Sequence, residues 1–160
     1  MLDNLLDRWK HTIYLSLLAP PLAYHANRMY QSLPALSSQP VARPLPSLSI
    51  IVPARNEAHN LRVLLPSLQA VCYPGELEII VVDDNSEDET AVIAQSYGAR
   101  LIRLQELPPG WMGKPHAMCH GAAAARGDWL LFTDADTIHG SHSPAQAVQY
   151  ALDNHLDGVS

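Results

Sequence analysis

The chain has 160 residues, 48% of them hydrophobic and 16% charged, the profile of one globular domain and not of a disordered chain. Its formal net charge of −6 excludes a nucleic-acid binder that works through a basic surface. Two cysteines, Cys72 and Cys119, stand far apart without metal-ligand spacing, which fits small apolar roles in a reducing compartment.

Residues 1–46 differ in character from the rest of the chain. Arg8 and Lys10 precede an apolar run over residues 12–24, interrupted by Pro20 and Pro21. A helix needs about 20 apolar residues to cross a bilayer, so this shorter run predicts a helix lying on a membrane surface or packed on protein. A signal peptide fits the basic start and the short run, but not the intracellular-looking domain behind it. Pro34, Pro40, Pro44 and Pro46, with Ser37 and Ser38, then predict a semi-extended linker. The folded domain is expected over residues 47–160.

From residue 48 strands and helices alternate. The first strand covers residues 48–52 and is closed by Pro53. Leu61, Leu64, Leu65 and Leu68 then give helical spacing over residues 57–71, with Asn56 as a candidate N-cap and Pro66 as a kink or break. Residues 77–82 form a second strand ending in Asp83-Asp84. A helix over 87–97 stops at Gly98, a third strand covers 100–104, and an alanine-rich helix over 115–126 stops at Gly127. The apolar run Trp129 to Phe132 reads as a buried fourth strand, and a last helix follows over 144–155. This order predicts an α/β domain with a mostly parallel sheet and helices on its faces. The closing Asp157-Gly158-Val159-Ser160 looks like a loop turning into another strand, so the sheet is expected to continue in a longer protein.

Open α/β sheets bind ligands beyond the carboxyl ends of their strands. The polar residues cluster there: Arg55, Asn56 and Glu57 after the first strand, Asp83 to Ser86 after the second, Asp134 and Asp136 after the fourth. Asn56, Asn85 and Ser86 are adequately explained as helix caps. The adjacent Asp83-Asp84 and the Asp134/Asp136 pair are not. If the strand stays extended through Ala135, both of the latter acids point one way. Such a pair suits a hard divalent cation shared with a phosphate-bearing ligand, or a solvated pair of acids in a loop. The loop from Leu107 to Pro115 carries two glycines and three prolines ahead of a helix N-terminus, where Lys114 adds charge and an anion such as a diphosphate could sit. Its spacing is neither a P-loop nor a Gly-x-Gly-x-x-Gly fingerprint, and Trp111 fits ligand stacking or packing. His116 and His120 are four apart, but no acid lies between them, which disfavours a zinc-protease type of helix.

Five ordered stretches carry a resemblance: Pro53-Ala54-Arg55-Asn56-Glu57, Val82 to Thr90, Gly110-Trp111-Met112-Gly113-Lys114, Gly121 to Gly127, and Thr133-Asp134-Ala135-Asp136-Thr137. Together they resemble the motifs of family 2 glycosyltransferases. The Gly-Trp-x-Gly-Lys loop and the Asp-Ala-Asp-Thr-x-His ending are most similar to the subgroup associated with hopanoid and carotenoid biosynthesis. The resemblance implies a GT-A fold, Rossmann-like, with helices on both faces of the sheet. It implies a nucleotide-sugar donor, most readily a UDP-sugar, a lipid-like or isoprenoid acceptor, and Mg²⁺ or Mn²⁺ as cofactor. Pro53, Asn56 and Glu57 would belong to the nucleotide pocket, with Glu57 near the ribose or base, and Asp84 would accept a hydrogen bond from uracil. Lys114 would lie near the phosphates. Asp134 and Asp136 match the Asp-x-Asp motif, which holds ribose and metal.

The resemblance also places the general base and the acceptor site beyond residue 160. Residues 47–160 are therefore expected to be the donor-binding half of the domain, working in the cytoplasm at the inner face of a membrane. A non-catalytic nucleotide-binding or interaction module is the alternative. A phosphotransfer receiver fits less well, because the adjacent acids follow the second strand and Lys114 precedes Asp134. A haloacid-dehalogenase phosphatase needs Asp-x-Asp-x-Thr, and here position 138 is Ile138.

Overall fold

The computed structural model describes residues 40–159. The predicted apolar segment and most of the Pro-rich stretch lie outside the described residues. The elements are β1 (Leu48–Ala54), α1 (Ala58–Gln69), β2 (Leu77–Asp84), α2 (Thr90–Ser96), β3 (Arg100–Leu104), α3 (Gly113–Ala124), β4 (Trp129–Phe132) and α4 (Ser143–Asp153). All strand pairs are parallel, in the order β3-β2-β1-β4. The chain steps outward from β1 to β3 and then crosses back to the other side of β1. The crevice between the carboxyl ends of β1 and β4 is thus a topological switch point, where such sheets bind ligands.

Side-chain alternation divides the core in two. Ile50, Val52 and Val81 face α1, α2 and α4 through Leu61, Leu64, Leu65, Leu68, Ile93 and Val148. Ile51, Ile80 and Val82 face Ala117 of α3 on the other side. Helices on both faces, as expected, follow from this two-sided apolar pattern in β1 and β2. The end of the Pro-rich stretch belongs to the domain: Leu45 is buried in the first cluster and donates its N–H to Pro74 O at 3.0 Å, and the Tyr73 hydroxyl donates to Pro46 O at 2.6 Å.

Several expected boundaries shift, each for a tertiary reason. Asn56 is not the cap of α1. It adopts φ 56°, and its side-chain carbonyl accepts the Glu87 N–H at 2.8 Å, while its own N–H goes to Ser86 Oγ at 2.9 Å. Glu57 stands at the cap position without making a side-chain cap, and the free N–H groups of Glu57 and Ala58 are taken by Thr90 Oγ1 (2.8 Å) and Asp88 Oδ2 (3.1 Å). Pro66 neither divides nor ends α1, which runs on to Gln69. α2 begins at Thr90, three residues later than expected, because Asp88 Oδ1 accepts the Thr90 N–H at 2.9 Å. β4 corrects the expectation of a buried strand. It is one of two edge strands among the described residues, β3 being the other, and Leu130 and Phe132 are 40% and 41% exposed on the face that carries α3, which lies mainly over β1 and β2.

Asp88 therefore ties the starts of two helices. Its slight desolvation raises the carboxyl pKa, but hydrogen bonds from the Thr90 hydroxyl and from the Thr90 and Ala58 N–H groups outweigh this and hold it below the ordinary value. A depressed carboxyl pKa stabilises the fold at neutral pH, and the contribution is lost as pH falls through the folded-state value. Asp88→Asn is expected to cost about 1 kcal/mol at pH 7, as lost caps do, and to flatten the acid side of the stability curve. Urea melts at pH 7 and pH 3 check both effects.

Candidate donor-binding site

A crevice of about 330 Å³ opens at the switch point. β1 and the loop after it contribute Pro53, Arg55 and Glu57, β2 contributes Asp84, the start of α3 contributes Gly113 and Lys114, and the loop after β4 contributes Asp134 and Asp136. Six of the seven residues singled out from the sequence are brought together here. Asn56 is not among them, since it stitches the loop after β1 to the loop after β2.

The adjacent acids of β2 serve different faces. Asp83 is fully buried, accepts the Ser86 N–H at 3.0 Å through Oδ1 and pairs through Oδ2 with Arg103 Nε at 3.3 Å. Asp84, one residue on, points the opposite way toward the crevice, with Arg55 Nη1 at 3.9 Å. Adjacency therefore does not crowd two charges into one place. Arg55, given no role of its own by the sequence, is a cation at the mouth.

The start of α3 brings the partial positive charge of a helix N-terminus to the crevice. Met112 is its extended N-cap residue, and Pro115 has no N–H, so Gly113 and Lys114 carry the N–H groups the helix cannot use. Lys114 Nζ lies 2.6 Å from Asp134 Oδ1, both about half exposed. The Lys114 charge is thus held on Asp134, the first acid of the Asp-x-Asp pair.

The loop after β4 departs from a strand extended through Ala135. β4 ends at Phe132 and residues 135–136 form a turn, with Ala135 buried and both acids exposed along the crevice. A hydroxyl–imidazole network braces it. Thr133 Oγ1 meets Thr137 Oγ1 at 2.7 Å and His139 Nε2 at 2.8 Å, and Thr137 Oγ1 donates to Asp134 O at 2.7 Å. The His139 N–H in turn donates to Ser67 Oγ of α1 at 3.2 Å, and burial pushes its imidazole pKa down, favouring the neutral ring as a hydrogen-bond partner. Thr133, Thr137 and His139 flank the Asp-x-Asp pair in sequence, but only the contacts disclose their bracing role.

Asp134 and Asp136 are the crevice residues that could hold a hard divalent cation. Among the described residues no three His, Cys, Asp or Glu side chains converge on one point. Two carboxylates suit a hard cation such as Mg²⁺ or Mn²⁺, which keeps several waters and takes its remaining oxygens from a phosphate-bearing ligand.

Comparison with known proteins identifies the family of this fold. Residues 49–160 match the model of glycosyl transferase family 2. The 4,4'-diaponeurosporenoate glycosyltransferase of Staphylococcus haemolyticus is 36% identical over 138 residues, which are 84% of this chain and 35% of that enzyme. Among solved structures, the mannosyltransferase PcManGT from Pyrobaculum calidifontis, in complex with GDP-Man and Mn²⁺, superposes with a TM-score of 0.65 at 26% identity. The match covers 86% of this chain and 41% of that one. S. aureus TarS 1-349 in complex with UDP gives 0.59 at 28% identity, covering 68% and 33%. The chain thus spans about a quarter to a third of the length of the curated relatives it matches. With a matching sheet, matching helices and a family model that covers most of its length, the chain belongs to glycosyl transferase family 2.

Proposed function

We propose that residues 47–160 form the donor-binding half of a metal-assisted, nucleotide-sugar-dependent glycosyltransferase. The observation that carries this reading is the convergence of Asp84, Lys114, Asp134 and Asp136 on one crevice at the switch point. Asp84 would accept the imide N–H of uracil, a contact that favours UDP-sugars, while Pro53 and Glu57 flank the base and ribose. The N–H groups at the start of α3 and Lys114 would hold the diphosphate. Asp134 and Asp136 would hold Mn²⁺ or Mg²⁺, which supplies stabilisation for the charge that develops on the departing nucleoside diphosphate. Lys114 would then exchange its pairing with Asp134 for one with the phosphates.

The base that activates the acceptor is assigned outside these residues. A lipid-like, isoprenoid-type acceptor is the reading favoured by the 4,4'-diaponeurosporenoate in the relative's name. Among the described residues no helix is long and apolar enough to cross a membrane.

The test is a thermal shift of the 160-residue chain with UDP or GDP, with and without Mn²⁺. Saturation at about 100 times Kd is expected to stabilise the fold by about 2.7 kcal/mol. Asp136→Ala should remove most of the metal-dependent part. A folded chain that shifts with neither nucleotide would sink the donor-site assignment.

A further inference from the structure

His116 and His120 stand one turn apart on α3, and their Nε2 atoms lie 3.1 Å from each other. The rings meet edge to face, with centroids 4.5 Å apart and planes at 81°. Two imidazole nitrogens bound to an ion at about 2.05 Å and separated by 3.1 Å subtend about 98° at that ion. This lies between the right angle of square-planar coordination and the tetrahedral angle. A hollow of about 300 Å³, lined also by Trp111, Cys119 and Ala123, opens beside the pair and leaves room for water ligands.

The surroundings favour an ion over a merely structural pair. His116 is 7% exposed, its Nδ1 has no hydrogen-bond partner, and its Nε2 meets only His120 among the described residues. A core histidine usually satisfies both nitrogens. Here the one polar contact of a buried ring is a second imidazole, and a proton shared between two like groups leaves the pair dependent on one tautomer. We propose that His116 and His120 chelate one divalent transition-metal ion of the Cu²⁺, Ni²⁺ or Zn²⁺ class, at a site separate from Asp134 and Asp136. Ligand chemistry separates the two sites: imidazole nitrogen suits these borderline ions, and carboxylate oxygen suits Mg²⁺ and Mn²⁺. The ion would clamp one turn of the helix whose first residues, Gly113 and Lys114, line the donor crevice.

Calorimetric titration of the tag-free, metal-stripped 160-residue chain with Ni²⁺ tests the site. One ion per chain is expected, together with a rise in Tm. His120 is exposed, so His120→Ala should keep its fold, and it should lower Ni²⁺ affinity roughly tenfold or more, since loss of even an outer partner costs roughly 10- to 100-fold. Cys119→Ser and Asp136→Ala should bind Ni²⁺ as the wild type does. The proposal is overturned by absence of Ni²⁺ binding, by unchanged affinity in His120→Ala, or by loss of binding in either of the other variants. None of these outcomes depends on donor binding.

Discussion

Gly113→Ala is expected to weaken Mn²⁺-dependent binding of a uridine nucleotide by roughly 10- to 100-fold, equivalent to one charge-assisted hydrogen bond, with Tm changed by only a few degrees. Gly113 opens α3 with an ordinary φ, so conformation does not require glycine there; space does. A methyl group at this position would fall on Asp84 Oδ2, with Asp84 Cγ 3.6 Å away. Asp84 ends the interior strand β2 and is 8% exposed, so its carboxylate cannot simply swing into water. Either that carboxylate turns from the crevice or the start of α3 retreats, taking Lys114 with it. Both movements separate the group assigned to the base from the group assigned to the phosphates. Calorimetry on Gly113→Ala beside Asp84→Asn measures the effect. Equal losses are expected, and wild-type affinity in Gly113→Ala would remove Asp84 from the donor site. Gly110 in the same loop is a different case, since its φ of 85° is a conformational requirement with open space around the missing side chain.

How far the sequence discloses such a site depends on what decides each feature. β3 is observed at its expected bounds and the run Trp129 to Phe132 is a strand, because short apolar runs between turn residues are local signals. Helix starts are less legible. α2 begins where Asp88, one of several cap-type residues in its loop, accepts the Thr90 N–H, whereas α1 is capped by Asp88 and Thr90 from about 30 residues further along the chain, which a local N-cap rule cannot find. The same limit applies to Asn56, whose carboxamide is a bridge between loops. Burial of β4 depends on strand order, and nothing in Trp129 to Phe132 states that the strand lies at an edge. Clustering of the candidate site was legible because the parallel sheet brings strand ends together whatever the loop details. The Asp83-Asp84 adjacency became intelligible only with the strand extended through both residues, which sends one acid to Arg103 and the other to the crevice. For His116 and His120 the spacing was visible, but the 3.1 Å separation is a matter of rotamers.

The largest loss of stability is expected from Gly127→Ala, about 2–4 kcal/mol from overpacking with lost hydrogen bonds. For a chain of this size that is a fall in Tm of roughly 5–15 °C. A Cβ at Gly127 would stand 2.6 Å from Ser49 N, 2.7 Å from Ser49 Oγ and 2.8 Å from Leu48 C. Those are mainly backbone atoms of β1, an interior strand paired on both sides, so the glycine loop must give way. Its movement strains three ties: Gly127 N–H to Ser49 Oγ at 2.8 Å, Arg126 N–H to Glu78 Oε1 at 2.5 Å, and Asp128 N–H to Ser47 Oγ at 2.9 Å. Gly121→Ala should cost less, because it meets side-chain methyl groups, Ile51 Cγ2 and Val82 Cγ2 (the latter at 3.1 Å), and not the backbone of an interior strand. Gly140→Ala, with nothing nearby, should stay within about 0.5 kcal/mol of wild type. Calorimetric melts of the three variants test this order, and an equal effect at all three positions would refute the steric account. The pH dependence adds a second check. Desolvation raises the Glu78 pKa, but the Ser49 hydroxyl, the Arg126 N–H and Arg100 outweigh it and hold the carboxyl below its ordinary value. That stabilisation is present at neutral pH and is lost as pH falls through the folded-state value. Because Gly127→Ala disturbs the Arg126 contact, its cost should be largest near pH 7 and should narrow as Glu78 protonates.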